Sequence, residues 1–252
     1  MPSHFSTIGF PIDTEQEFLS LAEQVYEKSE ILTCPGGRYH CWNRGKGEEL
    51  WLQVDSTGAL IGMNPHFSGK SVLRVGLQER LKRSSDSDLD GAFHGWASAK
   101  AAPYNDGACP FVFDMPDARV HDKLHLPTLV TVQVVGFAHE VNVYSSVEEY
   151  DSLSKSGEVA FASQSFIPSG LFSPDMESVP EPAAQAIITG HVIETETRHN
   201  SLTGKKFYWS LVETYGGNYD IVFDPELAAA PQQGGVISGS FWLSGRILSH
   251  PN

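Results

Sequence analysis

The spacing of apolar residues in the first quarter of the chain predicts a strand, a helix and three further strands. Large apolar residues recur between residues 4 and 12 in the manner of a strand. Asp13 and Gln16 have the spacing of a capping box, and the apolar positions after them share one helical face, so we expect a helix over residues 14–28. Three alternating segments separated by turn residues follow, at residues 38–42, 49–54 and 59–63.

The last quarter of the chain alternates apolar and polar residues over several segments that Gly- and Asn-rich turns separate. These segments lie at residues 186–197, 206–214, 219–223 and 236–248. Antiparallel strands in this succession resemble a small barrel of the OB type. In the last segment Trp242 shares a face with Ser244 and Arg246, and we expect the N-terminal region to cover that tryptophan.

The fold class that follows is α+β and rich in strands, with two domains. A Val-rich segment at residues 128–144 predicts another strand, and a capping box at residues 146–149 predicts a short helix after it. Four prolines lie within residues 166–185, which we interpret as a linker. We therefore predict an α+β domain over residues 1–165 and a small antiparallel OB-like barrel over residues 186–250.

The charge balance narrows the range of expected partners. Asp and Glu number 31 against 17 Lys and Arg, which gives a formal net charge of −14. A chain this acidic repels phosphate backbones and anionic membrane surfaces. The densest basic cluster, formed by Arg74, Arg80, Lys82 and Arg83, precedes three aspartates, so we interpret it as a solvated strand face. We expect neither a membrane nor a nucleic acid as partner.

Cysteine usage and the N-terminal sequence predict a cytoplasmic protein. Cys34, Cys41 and Cys109 are odd in number and do not form a disulfide framework. The N-terminal residues lack the basic region and the apolar stretch of a signal peptide. No apolar run reaches the length that a membrane-spanning helix needs.

The whole chain resembles a family of bacterial proteins that have no assigned activity. Four segments carry the resemblance: Phe-Ser-Thr-Ile-Gly-Phe-Pro at residues 5–11, Asn-Pro-His-Phe at residues 64–67, Phe-Ile-Pro-Ser-Gly-Leu-Phe at residues 166–172 and Gly-Ser-Phe-Trp-Leu-Ser-Gly at residues 239–245. The resemblance implies that residues 1–250 form one evolved unit, and it implies no functional residues.

The predicted order of N-terminal elements also resembles one module of the vicinal-oxygen-chelate fold of glyoxalase-like metalloenzymes. That resemblance implies metal ligands on the first and last strands of the module, which here offer His4 and His66. The carboxylate that this fold carries on its last strand is missing, because Glu48 and Glu49 fall one strand earlier. The resemblance is one of topology, and topology alone does not imply function.

A second histidine pair has the spacing of metal ligands on a helix. His121 and His125 are four residues apart, but Pro116 and Pro127 flank them closely, so a long helix is not expected there. No third ligand is adjacent in the sequence. We therefore predict no resident metal or other cofactor. If a metal were bound, the candidate ligands would be the four histidines at positions 4, 66, 121 and 125.

The function that follows is a non-catalytic binding or accessory protein that acts on another protein or on a small ligand. No nucleophile elbow or phosphate loop is present in the sequence. The side chains that we expect to contact a partner are Trp242, Arg246, Trp209 and Tyr215. Two alternatives stay open: a metal-dependent, glyoxalase-like enzyme, and a protein that binds single-stranded nucleic acid through aromatic residues of the barrel.

Overall fold

The computed structural model describes residues 3–154, 161–171 and 181–250, and this part of the chain is rich in β-strands. Two α-helices accompany the strands: α1 (Glu15–Tyr26) and α2 (Val147–Ser154). Neither of them, nor any other helix in these ranges, is long and apolar enough to cross a membrane.

Helix α1 confirms the predicted helix, but its N-cap lies one residue later than predicted. The hydroxyl of Thr14 accepts a hydrogen bond from the Glu17 amide at 3.2 Å, and the Glu17 carboxylate accepts from the Thr14 amide at 3.0 Å. The capping box is therefore Thr14 and Glu17, rather than Asp13 and Gln16. Leu21, Ala22 and Val25 form its buried face.

The strand predicted over residues 4–12 is wrong, because this segment forms a short 3-10 turn at Ser6–Ile8. The Thr7 hydroxyl donates to the His4 carbonyl at 2.7 Å, so local bonds replace those of a strand. Gly9 ends the turn with a φ of +80°, where a side chain would also meet Asn200.

The first four strands form an antiparallel sheet in chain order: β1 (Glu30–Cys34), β2 (Gly37–Asn43), β3 (Glu48–Asp55) and β4 (Leu60–Phe67). The sequence pattern predicted the last three but not β1. At the β3–β4 turn, Asp55 accepts hydrogen bonds from the amides of Thr57 and Ala59, each at 2.9 Å, and Gly58 has a φ of +91°. Helix α1 packs on this sheet through β2 and β3.

Nine further strands form a second sheet. They are β5 (Leu73–Leu81), β6 (Ala92–Ala97), β7 (Pro110–Asp114), β8 (Thr128–Tyr144), β9 (Ser165–Ile167), β10 (Gln185–His199), β11 (Lys206–Thr214), β12 (Gly217–Phe223) and β13 (Val236–Ser249). Two long strands, β8 and β13, pair antiparallel, from Val236 opposite Tyr144 to Ser249 opposite Thr131.

The paired strands β8 and β13 form a two-stranded ribbon. On its outer edge, each of these two strands pairs with two further strands. The start of β8, residues 128–132, pairs with β5, and its middle, residues 135–137, pairs with β12. Strand β13 pairs first with β10 and then, at Ser244, with β7. Strands β5, β6 and β7 complete one ring with the ribbon, and β10, β11 and β12 complete another. Each ring has five strands, and both contain β8 and β13.

Strand pairing joins the two sides of the predicted domain division. β13, from residues 186–250, pairs with β8, from residues 1–165. The start of the predicted linker, residues 166–185, lies in β9, which pairs with β10. Residues 172–180 of the linker lie outside the described residues. The domain division itself stays a prediction.

Candidate functional site

A cleft of about 240 Å³ opens where β4, the β5–β6 loop, the end of β7 and β13 meet. We call it the Asp cleft, after the three aspartates in its lining. Its polar and aromatic lining residues are Asn64, Arg83, Ser85, Asp86, Asp90, Asp114, Trp242 and Ser244.

The β5–β6 loop is folded by its own aspartates. Asp86 accepts a hydrogen bond from the Arg83 amide at 2.7 Å, and Asp90 accepts one from the Ser87 amide at 2.9 Å. Asp90 also accepts from the side chains of Gln53, at 2.6 Å, and Asn64, at 3.1 Å, which ties the loop to β3 and β4. Burial acts to raise the pKa of Asp90, but these hydrogen bonds outweigh it and lower the pKa, so Asp90 is ionised at neutral pH.

Asp114, at the end of β7, also lines the Asp cleft. It is in an ion pair with Arg83, and its Oδ2 accepts a hydrogen bond from Trp242 Nε1 at 2.6 Å. Burial raises the pKa of Asp114, and Arg83 opposes that rise. Burial acts to lower the pKa of Arg83, but Asp114 outweighs it and raises the pKa. Arg83 is therefore charged and committed to Asp114.

A chain of buried polar side chains runs inward from Ser244 on the floor of the Asp cleft. Ser244 Oγ lies 2.9 Å from His66 Nδ1, and His66 Nε2 lies 2.9 Å from Gln133 Oε1. Gln133 Nε2 donates to Asp220 Oδ2 at 2.7 Å, and Asp220 also accepts from Trp209 Nε1 at 2.8 Å. Because Gln133 presents its oxygen to His66, the imidazole proton is on Nε2 and Ser244 donates to the free Nδ1.

This order of groups resembles a nucleophile, a base and an orienting residue, but Ser244 and His66 are both buried, with 1% and 0% of their surface exposed. Burial, with a smaller contribution from Arg246, lowers the pKa of His66 to about 3. An effective general base has a pKa near the working pH, so His66 is a poor proton acceptor. We interpret the chain as a satisfied polar network that fixes the first sheet, through His66, against β8 and β13.

Arg246, two residues further along β13, joins an ion cluster instead of the Asp cleft. Its guanidinium lies 3.2 Å from Asp117 and 3.6 Å from Glu49, and 4.5 Å from the centre of the Trp51 ring. Trp51 Nε1 donates to Glu49 at 2.8 Å. Burial acts to raise the pKa of Asp117, but the nearby His121, at 3.7 Å, and the bonds from Arg246 outweigh it and lower the pKa. Both carboxylates are thus engaged.

The structure gives the four candidate metal ligands different partners. His4 Nε2 lies 2.8 Å from His139 Nε2, whereas His66 is bound to Ser244 and Gln133 in the interior. His121 and His125 line a different cleft. Within residues 3–154, 161–171 and 181–250, no three His, Cys, Asp or Glu side chains are grouped so as to hold a metal ion.

The four residues expected to contact a partner are also dispersed. Trp242 lines the Asp cleft, and Arg246 belongs to the ion cluster. Trp209 is fully buried and bound to Asp220, whereas Tyr215 is 56% exposed in the turn between β11 and β12. The N-terminal region covers Trp242 in part: the His4 ring stacks on it at 4.4 Å, with 9° between the ring planes, and Trp242 is half-buried.

The aspartates of the Asp cleft were not identified from the sequence. Asp86 and Asp90 lie in a Ser-Asp-rich stretch whose composition predicts turns, and the stretch does form turns. The available signal was the length of the irregular segment at residues 84–110, since long loops often carry function. Part of that segment is β6, which the sequence pattern also missed.

Comparison of the chain with protein-family models, with curated proteins and with solved structures finds no match. The resemblances drawn from the sequence therefore stay expectations.

Proposed function

We propose that the protein is a non-catalytic binding protein whose Asp cleft takes a small hydrophilic ligand with a cationic group. The volume of about 240 Å³ lies below the range of pockets for drug-sized molecules. A ligand of a few heavy atoms that ends in an amine or guanidine fits this space and its polar lining.

The charge balance of the lining is the observation that carries this proposal. Three carboxylates and one guanidinium line the Asp cleft, and the guanidinium of Arg83 is bound to Asp114. Asp86 and Asp90 remain without a balancing cation among the lining residues. A cleft that carries one sign of charge raises the local concentration of ligands of the opposite sign.

The carboxylates are held in place before any ligand arrives. Gln53, Asn64 and Ser87 fix Asp90, and Trp242 fixes Asp114. Groups that are already ordered lose little conformational entropy on binding, which favours affinity. The ordered carboxylates distinguish this cleft from an acidic patch of exposed side chains.

Titration of the protein with putrescine and agmatine in a calorimeter tests the proposal. We expect Asp86→Asn to weaken binding of these amines by about tenfold, because it removes a charge from the lining. Asp88→Asn is the matched control: Asp88 lies in the same loop, is 86% exposed, pairs with Lys82 and does not line the cleft.

Two outcomes would contradict the proposal. One is the absence of amine binding to the unaltered protein at low ionic strength. The other is an equal loss of affinity in the Asp88 variant, which would indicate attraction to the acidic surface as a whole.

We further propose a cytoplasmic location, which the cysteines support. All three are free thiols in the described structure. Burial raises the pKa of Cys41 to about 12 and that of Cys109 to about 11, so both are protonated and unreactive at neutral pH. Free buried thiols are typical of reducing compartments.

A further inference from the structure

A second cleft, of about 310 Å³, lies beside the 3-10 turn Ala118–His121. We call it the His cleft. Its polar lining residues are His121, Lys123, His125, Thr128 and His250, and Val120 and Leu124 form its apolar side. No carboxylate is among these lining residues, although the chain carries a net charge of −14.

The carboxylates beside the turn are already bound to cations. Asp122 lies 3.4 Å from Arg80 and 3.3 Å from Arg119, so two guanidinium groups share one carboxylate. Asp117 lies 3.2 Å from Arg246. Arg246 also lies 3.6 Å from Glu49, and His121 Nε2 lies 3.7 Å from Asp117. Three guanidinium groups thus face three carboxylates, and none of these carboxylates is left over to cancel the charge of Lys123. Among these groups, the ammonium of Lys123 is therefore the charge without a partner of opposite sign.

The hydrogen-bond donors that line the His cleft determine which class of ligand it can bind. Lys123 offers an ammonium group, Thr128 a hydroxyl and His125 a ring N–H group. The ammonium repels a metal cation and attracts an anion. A carboxylate has two oxygens for these donors, whereas a phosphate group has three or four and forms strong charge-assisted hydrogen bonds.

We propose that the His cleft binds a phosphate group, either as the free ion or as the head of a phosphate ester. Lys123 is the principal charge, and His125 is a second donor at the exposed rim. Val120 and Leu124 provide a surface for the organic part of an ester. None of the residues that line the His cleft lines the Asp cleft, so this site is independent of the proposed amine site.

Calorimetric titration with inorganic phosphate and with phenyl phosphate at low ionic strength tests the proposal and distinguishes the two sources. Tighter binding of phenyl phosphate supports an ester, and equal binding supports the free ion. We expect Lys123→Gln to weaken binding by at least about tenfold, and His125→Gln to weaken it less. Both side chains are exposed, so both variants are expected to fold, which circular dichroism checks.

Lys100→Gln is the matched control, because Lys100 is exposed and does not line the His cleft. Its affinity should equal that of the unaltered protein. The proposal is overturned if neither phosphate compound binds, or if the Lys100 variant loses as much affinity as the Lys123 variant. Tighter binding of succinate than of phosphate would also overturn it, because the donors would then prefer a carboxylate.

Discussion

Trp242 is held by groups from three separate parts of the chain. Its ring stacks on His4, and Phe137 of β8 lies 4.9 Å from it, measured between ring centres. Its Nε1 donates to Asp114, which also binds Arg83. Trp242 thus connects the N-terminal segment to the wall of the Asp cleft, and a change at His4 is expected to affect that wall.

The hydrogen bond between His4 and His139 makes the stability of this contact dependent on pH. Burial, and secondly His139, lowers the pKa of His4 to about 4, and burial also lowers the pKa of His139. In the unfolded chain both pKa values lie near 6.5. The unfolded chain therefore binds more protons between these values. The contribution to stability is complete above about pH 7 and is lost as the pH falls towards 4.

We expect His4→Phe to remove the part of this pH dependence that comes from His4 while it keeps a ring against Trp242. Between pH 7 and pH 4.5 the unaltered protein should lose about 1–3 kcal/mol more unfolding free energy than the variant. Urea melts at the two pH values measure the difference. Other buried histidines, such as His66, are present in both proteins and cancel. Parallel losses in the two proteins would contradict the prediction.

At the scale of the element, the start of helix α1 depends on Thr14. Its side chain satisfies the Glu17 amide, whereas Asp13 takes part only through its backbone amide, which donates to Glu17 at 2.9 Å. We expect Thr14→Ala to cost about 0.5–2 kcal/mol in urea melts. Asp13→Ala is the control and should cost markedly less. A larger loss of unfolding free energy in the Asp13 variant would contradict this prediction and would indicate that Asp13 is the N-cap, as the sequence suggested.

Elements with local signals were predictable, and those without them were not. The β3–β4 turn carries Asp55 and Gly58, and α2 carries its own cap, since Ser146 accepts from the Glu149 amide at 3.2 Å. Strand β1 was missed because it is a short, mostly exposed strand at the sheet edge, without a continuous buried face. Strand β6 was missed because turn residues surround it on both sides.

At the scale of the whole molecule, the Asp cleft lies where β13 changes partners. β13 pairs with β10 up to Trp242 and with β7 at Ser244, opposite Asp114. These two residues of β13 also line the cleft. The site thus depends on pairing between residues more than 100 positions apart, as in Ser244 and Asp114. The periodicity of apolar residues indicates which face of a single element is buried. It therefore could not predict that Ser244 and Asp114 lie side by side.

The shared ribbon predicts that the described sheet unfolds as one unit. Leu77 of β5 belongs to one ring and Ile188 of β10 to the other, yet both are buried in the same core cluster. We expect Leu77→Ala and Ile188→Ala each to cost about 2–5 kcal/mol. Because β8 and β13 are common to both rings, each variant should shift a single transition.

Urea unfolding followed by both far-UV circular dichroism and tryptophan fluorescence provides the measurement. Coincident transitions in the unaltered protein and in both variants would show that neither ring is stable without the other. Two separate transitions, with Leu77→Ala moving only one and Ile188→Ala only the other, would contradict this expectation. That result would instead show that the described sheet holds two independently stable cores, as two separate domains would.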